Sequence, residues 1–141
     1  MGGKILVSGR QRKMSFLLDT HTFLWWIMAN PSLSDPARSV IEDPDALRCV
    51  SSVTAFEIAN KFRIGKLDFA REIIENFDAV LDDAGFQRLD INHSHALLAG
   101  QMPGNHKDPF DRLLAAQSKL ESLTLVTADA AFDGFDIKRL W

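Results

Sequence analysis

Four acids in this 141-residue chain stand where chemistry could be done. Asp19 ends the apolar run "FLLD", and Glu57 lies in the first turns of "SVTAFEIANKFRIG". Asp111 opens "DRLLAAQ", with Asp108 three residues ahead of it, and Asp129 follows "LTLVT". Carboxylates gathered in one place repel one another unless a cation sits among them. Oxygen donors select hard ions such as Mg²⁺ or Mn²⁺, and Mg²⁺ keeps several waters while taking few protein carboxylates. A cation of this kind lowers the pKa of a bound water and neutralises charge building on a phosphoryl group. Phosphodiester cleavage by activated water, with no side-chain nucleophile, is the chemistry such a set would support.

Each acid also has a plain structural reading. Asp19 could cap the helix that follows it. Glu57 stands three residues after Thr54, so "TAFE" fits a capping box. Asp108 and Asp111 fall in a first helical turn, where the dipole favours acids and Pro109 is at home. Asp129 could be a turn residue. Taken together these readings leave unexplained why one strand end after another carries an acid at a helix entrance.

Those entrances follow from the pattern of elements. Residues 14–19 read as a short buried strand and 21–29 as a helix stopped by Asn30-Pro31. Ser34 caps a helix that tolerates Pro36 in its first turn. "LRCVSS" reads as a second strand, and the helix of Glu57 ends at Gly65. "AREIIENFDAVLDDAG" reads as one amphipathic helix with Ile73, Ile74, Phe77, Val80 and Leu81 on one side. "FQRLDI" is a third strand, "HSHALLAGQM" a short helix and "DPFDRLLAAQSKLES" a longer one. "LTLVT" is a fourth strand, "ADAAFDGF" a turn or short helix, and "DIKRLW" a last strand. Strands alternating with helices indicate an α/β fold with a central, mostly parallel sheet, whose working site lies at the carboxyl ends of the strands. Asp19 and Asp129 fall there.

Composition bounds the rest. The chain has the length of one domain and is 46% hydrophobic and 25% charged. No apolar run approaches the roughly 20 residues of a membrane span, nothing reads as a signal peptide, and the single Cys49 excludes an internal disulfide and a cysteine-based zinc site. A cytoplasmic location fits, with no membrane partner. Lys4, Arg10, Arg12 and Lys13 make the first 13 residues basic; the other 128 carry 12 basic and 19 acidic side chains, a net −7. That charge argues against a general nucleic-acid coat but not against an enzyme whose acids bind cations. Residues 1–13 are expected to be a flexible extension, because "MSFLLDTH" at Met14 reads like a natural start.

"FLLDTH", "SSVTAFEIANKFRIGKL", "KDPFDRLLAAQS" and "LTLVTADAAF" together resemble the PIN-domain family, and more narrowly the VapC-type toxins of bacterial toxin–antitoxin pairs. The likeness covers nearly all of residues 14–141, with the motifs in family order. It implies a PIN-like three-layer nuclease domain, a Mg²⁺- or Mn²⁺-dependent endoribonuclease activity, a homodimer, and a cognate antitoxin that blocks the acidic pocket. It implies metal-ligand and catalytic roles for Asp19, Asp111 and Asp129, and for Glu57 directly or through water. Asp108 becomes a supporting or direct ligand, and Thr127 resembles the small hydroxyl residue that often stands at its position.

Other residues are weighed beside these. Arg112 and Lys107 flank the acids and could hold RNA phosphates or form salt bridges. His21 has a local packing role as its plainer reading, and His93, His95 and His106 show no metal-ligand spacing. Trp25 and Trp26 are adjacent, so one is expected in the core and the other exposed or covered by a partner. Phe62, Leu67 and Phe69 form either core or a partner-binding patch. Two rivals to the nuclease remain: a PIN-like module that binds RNA or protein without cutting, and a phosphoryl-accepting receiver. The receiver lacks its acid pair in "LLDTH" and its central aspartate in "LRCVSS".

Overall fold

The computed structural model describes residues 14–141; the basic extension and what is expected of it lie outside the described residues. Five strands form one sheet: β1 (Ser15–Leu18), β2 (Leu47–Ser51), β3 (Gln87–Leu89), β4 (Thr124–Val126) and β5 (Arg139–Leu140). Their order is β3-β2-β1-β4-β5, and all four neighbouring pairs are parallel. The chain therefore builds outward from β1 to β3 and then returns to the other side of β1. The switch falls between β1 and β4, where the first crossovers diverge and a crevice opens.

Side chains that alternate along the strands feed two cores, because successive residues point to opposite faces. Phe16, Leu18, Val50 and Val126 pack with Phe23, Ile41, Ile58 and Leu81. These come from α1 (Thr20–Ile27), α2 (Asp35–Ile41), α3 (Ser52–Arg63), α4 (Arg71–Glu75) and α5 (Phe77–Ala84) on one face. Leu17, Cys49 and Leu125 pack instead with Ala99, Leu114, Ala115 and Phe132, from α6 (His93–Gln101), α7 (Pro109–Leu120) and a 3-10 segment over Ala130–Phe135. The result is the expected three layers, with the central strands β1, β2 and β4 largely buried and the edge strands β3 and β5 more exposed.

The helix expected over 70–85 is two helices, broken at Asn76, whose backbone (φ −120°, ψ 28°) leaves the helical region. The Asn76 amide donates to the Glu72 carbonyl at 2.9 Å, closing the first helix locally as asparagine readily does. Gly85 ends α5 with φ +77°, and a Cβ there would stand 2.9 Å from Arg48 Nη2. Arg48 is itself buried, donating to the carbonyls of Ile41 and Ala46 and lying over the Phe86 ring. Both tryptophans are half-buried against the first core, contrary to the expected split: Trp26 meets Phe86 edge-on, and Trp25 is covered by Trp141. Phe62 and Leu67 also pack on that core, whereas Phe69 stays exposed. No helix among the described residues is long and apolar enough to cross a membrane.

Candidate metal centre

Asp19 is the first residue past β1, and its buried carboxylate is held on both oxygens. Oδ1 accepts from the Thr22 N–H at 2.8 Å and so caps α1, while Oδ2 accepts from the Thr127 hydroxyl just beyond β4. The capping role and the site role thus coincide, since each carboxylate oxygen has a second lone pair. Thr127 Oγ1 also accepts from the Asp129 N–H at 3.1 Å. One hydroxyl therefore links the Asp19 carboxylate to the Asp129 backbone across the β1/β4 switch. Asp129 caps the 3-10 segment through Oδ1 and the Ala131 N–H, and its side chain is exposed. Asp19 and Asp129 line one cavity of about 290 Å³ together with His21, Trp25 and Ala128. Arg139 donates to the Thr127 carbonyl and to Asp133, and its charge feels Asp129.

Glu57 and Asp111 form the other half. The "TAFE" capping box is not made: Ser51 caps α3 through Val53 N–H, because the helix opens directly from β2. Thr54, one turn further in, instead meets Thr20 Oγ1 at 3.1 Å, and Thr20 donates to Glu57 Oε1 at 2.5 Å. The residue after Asp19 therefore orients Glu57. Asp111 is the third residue of α7, whose cap is Asp108, accepting from the N–H groups of Phe110 and Asp111. Burial pushes the Asp111 carboxyl up to about 6, aided by the charges of Asp108 and Glu57 and opposed by the hydrogen bond and charge of His106. His106 Nε2 lies 2.8 Å from Asp111 Oδ2.

The donors suit a hard divalent ion: four carboxylates and nearby hydroxyls, with like charges crowding Asp111. The acids fall into two couples: Asp19 and Asp129 line one cavity, and the charge of Glu57 reaches Asp111. Among the described residues no three His, Cys, Asp or Glu side chains close around a single point. Mg²⁺ needs only one or two protein carboxylates and completes its shell with water and phosphate oxygens, so couples of this kind fit it.

Arg112 is engaged elsewhere than expected for an RNA contact. Its Nε donates to the Ala99 carbonyl (2.8 Å), Nη1 to His106 (2.9 Å) and Nη2 to Met102. These bonds gather the loop between α6 and α7, and the guanidinium lies over the Phe135 ring. Lys107, in the same loop, is exposed. His93 stands exposed at the start of α6, while His95 is buried: its Nδ1 accepts from Asn92 N–H and its Nε2 meets Glu121. Sequence reasoning set His106 aside for want of metal-ligand spacing and did not single out Thr20, yet both contact site acids. A histidine five residues before Asp111 carries no periodic signal.

The chain matches the PIN domain family model over residues 16–138 and belongs to that family. Its fold is similar to chains in three solved assemblies. In VapBC2 from Rickettsia felis, bound to a DNA fragment from their promoter, the identity is 17% and the TM-score 0.66, covering 90% of this chain and 98% of the other. For VapBC-1 from nontypeable Haemophilus influenzae the values are 18% and 0.64, with 90% and 97% covered. For VapBC-5 from Mycobacterium tuberculosis, a member of the VapBC family of toxin–antitoxin systems, they are 21% and 0.55, with 89% and 98% covered. No curated protein matches the chain.

Proposed function

We propose that this PIN-domain protein is a VapC-like toxin, a Mg²⁺- or Mn²⁺-dependent endoribonuclease held in check by a cognate antitoxin. The observation that carries the reading is the meeting of Asp19 and Asp129 through one Thr127 hydroxyl at the parallel sheet's switch point, in a cavity open to solvent. Asp19, Asp111 and Asp129 would hold the ion, with Glu57 directly or through water. When bound, the ion supplies an acidified water and neutralises charge at the phosphorus. The chain's own part is orientation: Thr127 and the Thr22 N–H fix Asp19, Thr20 aims Glu57, and Asp108 and His106 set Asp111. Lys107, exposed in the loop before α7, would be available to an RNA phosphate. An antitoxin with a basic side chain would suit the acidic cavity and the −7 charge of residues 14–141, and VapC-like proteins imply a homodimer acting in the cytoplasm. In this reading residues 14–141 are the nuclease domain.

The test is cleavage of whole-cell RNA by the protein freed of any partner, with Mg²⁺, with Mn²⁺ and with chelator. Asp19→Asn and Asp111→Asn are run alongside. Cutting that requires metal and disappears in both variants is the expected result. Equal traces from wild type and variants would favour the non-cleaving binding module.

A further inference from the structure

We propose that His106 is a positioning residue that makes Asp111 a competent metal ligand, an inference that rests on the metal-dependent reading above. A carboxylate accepts only, so the 2.8 Å contact at Asp111 Oδ2 places the proton on His106 Nε2. That bond occupies Oδ2 along one direction and leaves Oδ1 as the oxygen free to meet a cation. Carboxylates that bind metals depend on such outer partners for orientation.

The imidazole packs on two rings, and its backbone is anchored as well. Its ring lies 5.0 Å from the Phe135 ring and 5.9 Å from Phe132, both in the segment capped by Asp129. Its backbone carbonyl accepts from Arg112 Nη1, whose residue directly follows Asp111. These supports converge on the loop before α7 from α7 itself and from the segment after β4. One ring therefore couples the position of Asp111 to the segment carrying Asp129. The side chain is 18% exposed, sheltered enough for its rotamer to be set by packing. An ordinary core role would require only the aromatic contacts; the Nε2 bond is the part that a site needs.

Two substitutions separate these roles. His106→Phe keeps a flat ring against Phe132 and Phe135 but has no N–H. His106→Gln places a side-chain N–H at a similar reach but gives up the ring. Mn²⁺ binding is measured by calorimetry on wild type and both variants, beside the Mn²⁺ concentration for half-maximal RNA cleavage and the unfolding temperature without metal. In His106→Phe we expect the half-saturating Mn²⁺ concentration to rise roughly ten- to a hundredfold in both assays. The unfolding temperature should fall modestly, because the Asp111 carboxylate loses a donor that offsets its burial. His106→Gln should hold Mn²⁺ within about threefold of wild type even if it unfolds earlier, because the donor is kept. Unchanged or tighter Mn²⁺ binding in His106→Phe, or an equal loss in both variants, would overturn the role of His106 while leaving the nuclease reading intact. Wild-type protein that neither binds Mn²⁺ nor cuts RNA would overturn both.

Discussion

Replacing Asp111 by asparagine should make the metal-free protein more stable, by an amount that grows with pH. The Asp111 carboxyl is pushed from 3.8 up to about 6 on folding, chiefly by burial. A group whose folded pKa exceeds its unfolded value binds more protons in the native state between those two limits, so stability falls as pH rises through them. The native state holds the full benefit below about pH 4 and has lost it above about pH 6. At about 1.36 kcal/mol per decade the loss approaches 3 kcal/mol for metal-free wild type at neutral pH. The side chain is partly exposed, so solvent screening lowers this toward about 2 kcal/mol. The substituted amide has no charge to bury, and its oxygen still accepts from His106. Urea unfolding of wild type and Asp111→Asn in chelator, from pH 4 to 7.5, reads the difference directly. With a slope of about 2 kcal/mol per molar, the two midpoints should nearly coincide at pH 4 and separate by roughly 1 M above pH 6. Mn²⁺ at neutral pH should close the gap by stabilising wild type. A difference that stays flat with pH, or a variant less stable throughout, would refute the claim that uncompensated charge at Asp111 strains the apoprotein.

Thr127→Val removes the donor to Asp19 Oδ2, so RNA cleavage should fall roughly ten- to a hundredfold, with Thr127→Ser restoring most of it in the same kinetic assay. Arg112→Lys replaces a fork serving three carbonyls with a single ammonium; it should cost about 2–3 kcal/mol in chemical denaturation. Burial, with help from Glu121, pushes the Cys49 thiol up to about 11, so a disulfide reagent at pH 8 should leave native protein unmodified and react fully in denaturant.

The three-layer α/β arrangement was legible because its signals are local and mutually consistent. Buried strands appear as short apolar runs, and Ser34, Asp108 and Gly85 punctuate the helices as capping chemistry dictates. The break at Asn76 was not legible, because the apolar stripe runs straight across it and only the Asn76 side chain decides the interruption. Glu57 looked like a capping partner because it follows Thr54 by three residues; the helix instead opens at the end of β2, where Ser51 is the cap. The site acids could be placed at one sheet edge from strand polarity alone. Their couplings through Thr20, Thr127 and His106 could not, since each spans elements whose relative position only the packed sheet defines. Arg112 shows the same limit: next to an acid it reads as a phosphate contact, yet the path of the loop before α7 turns it into that loop's anchor.

The hydroxyl joining Asp19 to the strand after α7 spans 108 positions of the chain, and this has a consequence for synthesis. β1 and β2 can pair while the rest of the polypeptide is still being made, but β4 must then insert beside β1 from the far side. At roughly 5–20 residues per second, about 5 to 20 s separate the emergence of the two partners. Throughout that interval the nascent chain has strands and helices but no assembled acidic centre. If the proposed nuclease reading holds, a ribosome making this protein would meet no cutting activity until synthesis has passed β4, and an antitoxin would have that time to reach the earlier helices first.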